Sequence, residues 1–237
     1  VLQGEVRCDD IFLQLYASDA SVYQIRPLAV AMPRTTADVV ACVQYANEHN
    51  LPIHARGAGT SLIGQSLGGG IVLDFSKHLR RVLKTTGDTV RIQPGLVLDR
   101  LNLHLQASGR VFGPDPATSR VTTMGSVIAV NGGGARWPRY GSTRDRVVSV
   151  QAVLADGTLC ELGCEPRPGP HPALNDRKTS LLASLDTVLT ESAEVIRKNQ
   201  PRTLVNSSGY LLRDVLLEDS IDVPKLLCGS EGTLAII

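Results

Sequence analysis

The stretch HARGAGTSLIGQSLGGG, His54 to Gly70, carries six glycines and no acidic residue. It lies between two apolar runs, Leu51–Ile53 and Ile71–Leu73. Gly57-Ala58-Gly59 gives G-x-G, but the third glycine of a dinucleotide fingerprint is missing. The loop also leads into IVLDF, a strand pattern, where that fingerprint needs a helix. The Gly-Lys-Ser/Thr of a P-loop is absent. Gly64-Gln65-Ser66-Leu67-Gly68 matches G-x-S-x-G, yet a nucleophile elbow requires a helix directly after the serine, then Asp and His downstream. Three glycines and a strand follow Ser66, and the later His171 sits in a proline-rich stretch. A serine hydrolase using Ser66 is the weaker alternative. Small residues that permit φ > 0 let successive backbone N–H groups converge on an anion, so the loop reads better as a nest, with Thr60 and Ser61 adding hydroxyls. A solvated surface loop is the competing reading.

Outward from this loop, TTADVVACVQYANEHN (35–50) has apolar residues at 39, 40, 43 and 46, a helical spacing that Thr35 or Thr36 can cap. LPIHA and IVLDF read as strands. RRVLKT and TVRIQP form a hairpin about Gly87-Asp88, and VVSVQAVLADGTLCEL another about Asp156-Gly157. Helices are expected over 96–108, stopped by Gly109, over TTMGSVIAVNGGG up to Gly132, and over 178–198. Residues 165–176 read as loop, and 205–210 and 226–237 close the chain. Strands and helices mix without regular β-α alternation, which predicts an α+β fold, with a boundary between two small lobes near residues 76–81.

Bulk properties fit a globular protein of 237 residues, long enough for one large domain or two small ones. A net charge of +1 and 4% aromatic residues argue against nucleic-acid binding. Five scattered cysteines make no disulfide framework, and Cys160 and Cys164 without a nearby histidine make a poor metal site. No apolar run approaches the ~18 residues of a membrane span. The chain opens at Val1 without Met and stops at LAII inside a strand pattern, the expectation for a domain excised from a longer protein.

A second glycine-rich region, GPDPATSRVTTMGSVIAVNGGG, places Gly125, Ser126 and Ala129 on one helical face nearly bare of side chains. Its N-terminus, near Thr122 and Thr123, is a candidate phosphate donor; close packing against a sheet is the alternative use of the same small residues. Two such regions in one chain favour a large nucleotide cofactor.

Five ordered stretches carry a family resemblance: RPLAVAMPRTTADVVACVQYANEHNLPIHARGAGTS, GPDPATSRVTTMGSVIAVNGGG, YGSTRDRVVSVQAVLADG, NSSGY and CGSEGTLAII. Together they resemble the FAD-binding domain of the vanillyl-alcohol oxidase / p-cresol methylhydroxylase superfamily, of the glycolate oxidase and D-lactate dehydrogenase type, from about Arg26 to Ile237. The resemblance implies a two-lobed α+β fold, with residues 1–25 as an N-terminal extension, lobe one over about 26–78 and lobe two over about 79–237. FAD would lie between the lobes. Arg56, Gly57, Ala58, Gly59, Thr60, Ser61, Gly64 and Gln65 would form its pyrophosphate loop. Pro114, Asp115, Thr118, Thr122, Gly125, Ser126, Ala129 and Asn131 would line the flavin and its ribityl and phosphate groups. Tyr140, Gly141 and Asp145 belong to the next stretch, and Ile236 would pass the adenine end.

Members that tether FAD through the first loop carry His where this chain has Thr60, so non-covalent FAD is expected. Gly125-Ser126-Val127 replaces the Gly-Gly-Asn of close relatives, which changes the hydrogen bonds on the flavin side. The family's cap domain, which supplies most substrate-binding groups and often a catalytic His, follows the GSEGTL strand and is not in this chain, so no catalytic residue is assigned. The implied activity is oxidation of a small-molecule 2-hydroxy acid by hydride transfer to flavin N5. An iron–sulfur domain or subunit is the implied electron acceptor, in a cytoplasmic protein held peripherally to membrane only through a partner. A flavin-binding fragment without turnover is the alternative for the isolated chain.

Overall fold

The structure, a computed structural model, describes residues 2–169, 176–201, 203, 206 and 208–237. His171, Val205 and Ser207, the first serine of NSSGY, lie outside the described residues, as do residues 170–175 of the expected loop.

The first lobe is a four-stranded sheet of order β1-β2-β4-β3, built from β1 (Glu5–Arg7), β2 (Ala29–Met32), β3 (Ile53–Arg56) and β4 (Ile71–Asp74). β1 runs antiparallel to β2, whereas β2 and β3 both run parallel to β4. Residues 5–7, within the stretch expected as an extension, thus form one edge of this sheet. Side chains alternate between faces along a strand. Val30 and Val72 therefore meet Leu13 of α1 (Asp10–Tyr16) on one face, while Ala31 and Leu73 meet Val39, Cys42, Val43 and Ala46 of α2 (Thr36–Glu48) on the other. β4 is buried along its whole length because both faces are covered. Thr35 is the cap of α2: its side chain accepts from Asp38 N while Asp38 accepts from Thr35 N, a reciprocal capping box. The buried Asp38 carboxylate also accepts from Gln3 N at 2.8 Å and Arg34 N at 2.9 Å, so one side chain ties β1 to the start of the helix.

The second lobe is assembled from two-stranded units. β5 (Val82–Thr86) and β6 (Thr89–Ile92) form the hairpin expected at Gly87, whose φ is +54°. α3 (Leu98–Gln106) and α4 (Met124–Ala129) share a core of Leu96, Leu98, Leu101 and Met124. After the short α5 (Trp137–Tyr140) and a 3₁₀ turn at Thr143–Asp145 comes the hairpin of β7 (Val150–Val153) and β8 (Leu159–Leu162). β9 (Cys164–Pro166) pairs with β10 (Ser220–Asp222), and α6 (Arg177–Glu191), α7 (Ala193–Asn199) and α8 (Val223–Leu227) complete the lobe. Val153 and Ile236 reach into the core beneath α2, so the lobes share apolar contacts. The fold is α+β, as expected.

Three expectations need correction. The single helix over 178–198 is two helices that meet at Ser192, which caps the end of one and the start of the other; serine competes for backbone hydrogen bonds and favours such ends. The closing stretch 226–237 begins within α8, nucleated by Asp222 accepting from Lys225 N and by Pro224 in the first turn, and of the strand expected at LAII only Ile236 pairs among the described residues, with Val153. The helix expected to reach Gly132 ends at Ala129, because Asn131 turns to φ +50°.

Burial alone would push the Asp38 pKa up, but the hydrogen bonds from Arg34, Gln3 and Thr35 outweigh it and hold it below 3.8. Its stabilisation is fully present above pH 3.8 and is lost as pH falls through the lower folded value. Asp38→Ala in the full-length protein should cost about 2 kcal/mol in urea unfolding at pH 7, since bonds to a charged acceptor contribute ~1.5–3 kcal/mol each. The difference from wild type should shrink below pH 3.8.

Candidate functional site

β3 delivers the glycine loop to the surface, and β4 takes the chain back. Between them the loop passes close to α4. A Cβ added at Gly57 would collide with Thr123 Oγ1 and Ser126 Oγ, so only glycine lets the strand exit and the helix touch. The two glycine-rich regions of the sequence are therefore one site. A cavity of about 60 Å³ lies at their junction, lined by Arg56, Gly57, Ser126, Ala129 and, from the C-terminal segment, Ser230.

The hydrogen-bond donors are distributed differently from the sequence expectation. The first N–H groups of α4 are already used: Met124 N donates to Leu96 O and Gly125 N to Pro94 O, both at 2.8 Å. The first two N–H groups of the helix are thus sewn to the 94–96 strand exit, and Ser126 N is the next that finds no acceptor among the described residues. Gly125 serves that contact, since its Cβ would lie 2.9 Å from the Pro94 Cβ. By contrast, among the described residues no carbonyl or side chain accepts from the N–H groups of Gly57, Ala58, Gly59, Thr60 or Ser61. Gly59 has φ +66°, a left-handed turn that a β-branched side chain strongly disfavours.

The other expected residues divide by role. Arg56 donates to the carbonyls of Tyr16 (3.1 Å) and Ser18 (2.8 Å) and lies over the Tyr16 ring, so its guanidinium anchors the loop base. Ser61 Oγ accepts from Ile63 N and Gln65 N and donates to Gln65 Oε1, so both side chains shape the loop. Gly64, at φ +80°, lies beneath the Tyr23 ring. Pro114 is buried, and Asp115 pairs with Arg136 at 3.1 Å. The Thr118 and Thr122 carbonyls accept backbone bonds in the turn before α4. Asn131 Oδ1 accepts from Arg144 N. Tyr140 stacks beneath Gly113, Gly141 has φ +73°, and Asp145 caps the turn at Ser142, so these three shape the chain beyond the cavity. Ile236 is buried beside Val153. A larger hollow of about 690 Å³ opens between the two hairpins, but its walls are largely apolar (Leu83, Val90, Ile92, Leu101), and of the expected residues it meets only Gly125, Tyr140 and Ile236.

Ser66 donates to Asp19 Oδ2 at 2.9 Å and is 9% exposed, and the chain after it runs into β4 with no helix between. The elbow geometry of a serine hydrolase is absent at this position. Sequence reasoning missed Tyr16, Asp19 and Asp74, which brace the loop from below. Their hydrogen bonds span 47 to 58 residues of chain, beyond any local pattern.

A family model described as FAD binding domain matches residues 27–163. The chain is 37% identical over 234 residues to D-2-hydroxyglutarate dehydrogenase of Pantoea ananatis, covering 93% of this chain and 22% of that protein. It is 36% identical over 154 residues to glycolate oxidase subunit GlcD of Bacillus subtilis, covering 63% of this chain and 33% of that one. The solved structure of 6-hydroxy-D-nicotine oxidase from Arthrobacter nicotinovorans shares the fold, with a TM-score of 0.60 at 24% identity over 69% of this chain and 36% of that one. The chain spans between about a fifth and a third of the length of the curated relatives it matches.

Gly57→Val should force the β3 exit away from α4 and lower the stability of the full-length protein by about 1–3 kcal/mol, read as a fall in thermal midpoint. Gly69→Ala is the control within the same loop: its Cβ would meet nothing closer than Ile25 Cγ2 at 4.0 Å, and its midpoint should stay at the wild-type value.

Proposed function

This chain belongs to the FAD binding domain family, and from that premise we propose that it holds FAD by seating the pyrophosphate on the Gly57–Ser61 backbone, within a longer flavoenzyme that oxidises a 2-hydroxy acid. The observation that carries the reading is the run of five N–H groups that find no acceptor among the described residues, beside the small-residue face of Ser126 and Ala129. A pyrophosphate fits such a nest because successive N–H dipoles converge on it, and bonds to an anion are about twice as strong as neutral ones. Gly57 excludes any side chain from the approach, and Ser126 and Ala129 leave a low wall against which the ribityl and flavin groups can lie. FAD, when bound, would supply two-electron redox chemistry for oxidising the hydroxyl-bearing carbon of the substrate to a carbonyl.

The residues of this chain bind and orient, and the groups that hold substrate and take its proton come from the remainder of the longer protein. On this reading the isolated 237 residues bind flavin without turning over. The substrate class follows the relatives, which include D-2-hydroxyglutarate dehydrogenase, a glycolate oxidase subunit and D-lactate dehydrogenase. An iron–sulfur domain or subunit would take the electrons, and the protein would be cytoplasmic or held to a membrane peripherally through that partner. No helix among the described residues is long and apolar enough to cross a membrane. Thr60 offers no imidazole for a flavin tether, so the cofactor is held without a covalent bond at this loop.

Full-length protein purified under mild conditions should be yellow, and heat or acid precipitation should release all of its flavin as FAD. Flavin left in the pellet would overturn the non-covalent assignment; a colourless protein that binds no FAD on reconstitution would overturn the reading itself. Gly59→Val places a β-branched residue at φ +66° with its Cβ 2.6 Å from the Arg56 guanidinium. Its FAD dissociation constant should rise at least about tenfold, which is 1.4 kcal/mol.

A further inference from the structure

The loop that meets the pyrophosphate cannot hold its own shape. Six glycines in 17 residues give the unbound chain many conformations, and binding would have to freeze them unless something already does. The residues that do so lie before residue 27, where the matched family region begins. From the end of α1, the stretch Tyr16–Tyr23 folds under the loop and is closed on itself by a bridge between Ser18 and Gln24 and by Ile25 N donating to Ala17 O at 2.8 Å. It grips the loop at successive points. Arg56, at the loop's entrance, donates to the carbonyls of Tyr16 and Ser18. Ala20 N donates to Gly59 O at 3.1 Å, in the middle of the free N–H run. Gly64 rests on the Tyr23 ring, with no room for a side chain larger than hydrogen without displacing it. At the exit, Ser66 Oγ donates to Asp19 Oδ2 at 2.9 Å.

Asp19 is the centre of this brace. Its other oxygen accepts from Ser21 N at 2.8 Å, which fixes the turn that aims Ala20 N at Gly59. We infer that Asp19 is a positioning residue for FAD: by clamping Ser66 and the Ala20–Gly59 contact together, it presets the Gly57–Ser61 N–H groups in the geometry that receives the pyrophosphate. It touches no cofactor atom and acts through the loop. The inference rests on the flavin reading of that loop. Burial pushes the Asp19 pKa up, but the bonds from Ser21 and Ser66 and the charge of Arg56 outweigh it and hold the carboxylate ionised below its ordinary range. The clamp therefore persists through the neutral range. The same network explains why Ser66, in a sequence that mimics a nucleophile motif, bonds a carboxylate directly: its hydroxyl is a structural donor.

The test measures FAD affinity by titrating deflavinated full-length protein, alongside the thermal midpoint of the same apoprotein. Asp19→Ala should raise the FAD dissociation constant about tenfold with the apoprotein midpoint close to wild type, because preorganisation is lost and the core is untouched. Ser66→Ala should raise it in the same direction but less, because only one of the two clamped contacts is cut. The double variant should be no worse than Asp19→Ala alone, since both changes break the Ser66–Asp19 bond. Asp19→Asn keeps an oxygen acceptor for Ser21 N and an amide N–H that can donate to the Ser66 hydroxyl, and should restore most of the affinity. Hydrogen exchange of apo Asp19→Ala should be faster at Ala20, Ile63, Gln65 and Leu67, whose N–H groups are bonded within the brace and loop, and unchanged in α2. Unaltered affinity in Asp19→Ala, an affinity loss that tracks a fall in apoprotein midpoint, or no rescue by Asn would each overturn the inference. Wild-type protein that binds no FAD would instead overturn the flavin assignment, so the two failures are distinguishable.

Discussion

The close approach of Gly57 to Thr123 and Ser126 is the constraint on which the rest of the site depends. A strand exit from the first lobe and a short helix of the second touch with no side chain between them. Any Cβ at that position would push the two elements apart. The contact needs precision on both sides, because a nest of N–H groups works only if its wall stands at a fixed distance. Much of the surrounding structure serves to hold one partner or the other in place.

On the loop side the holding is done by charge and hydrogen bonds. Tyr16 OH donates to Asp74 Oδ2 at 2.5 Å, which locks the end of α1 to the end of β4. The Tyr16 hydroxyl is raised well above its ordinary pKa by burial and by the adjacent carboxylate, so it stays a donor. On the helix side the holding is done by backbone. Besides the bonds from Met124 and Gly125, Gly229 N donates to Ile128 O and Glu231 N to Ala129 O, so the C-terminal segment satisfies the carbonyls at the end of α4. That segment is itself anchored by Arg144, whose buried guanidinium donates to the carbonyls of Leu211, Arg213 and Lys225. A six-residue helix has little stability of its own, and it keeps its place because both ends are tied to distant chain.

Residues legible from sequence were those whose role is local. The cap of α2 at Thr35, the turns at Gly87 and at Asp156-Gly157, and the two strands that flank the glycine loop all follow from spacing and turn chemistry. The candidate site was legible as composition: glycines and small residues marked both of its walls. The donors were not. Thr122, Thr123 and the start of α4 read as phosphate ligands, yet Thr122 N donates to Thr118 O and the Met124 and Gly125 N–H groups to Leu96 and Pro94, the latter two pairings beyond any local pattern. Arg56 and Ser61 read as cofactor ligands from their place in the loop, and the fold gives their side chains bonds that brace it.

The sequence by itself determined that this chain is an α+β domain with two glycine-rich stretches suited to a nucleotide, because turn residues, periodicity and the absence of side chains are written residue by residue. Tertiary structure alone decided which of those stretches keeps its N–H groups free and which residues hold it open. The reason is physical: a hydrogen-bond donor is available only if no distant acceptor has claimed it. The claimants here, Leu96 and Pro94 for the helix and Tyr16, Ser18 and Asp19 for the loop, are brought close only by the fold.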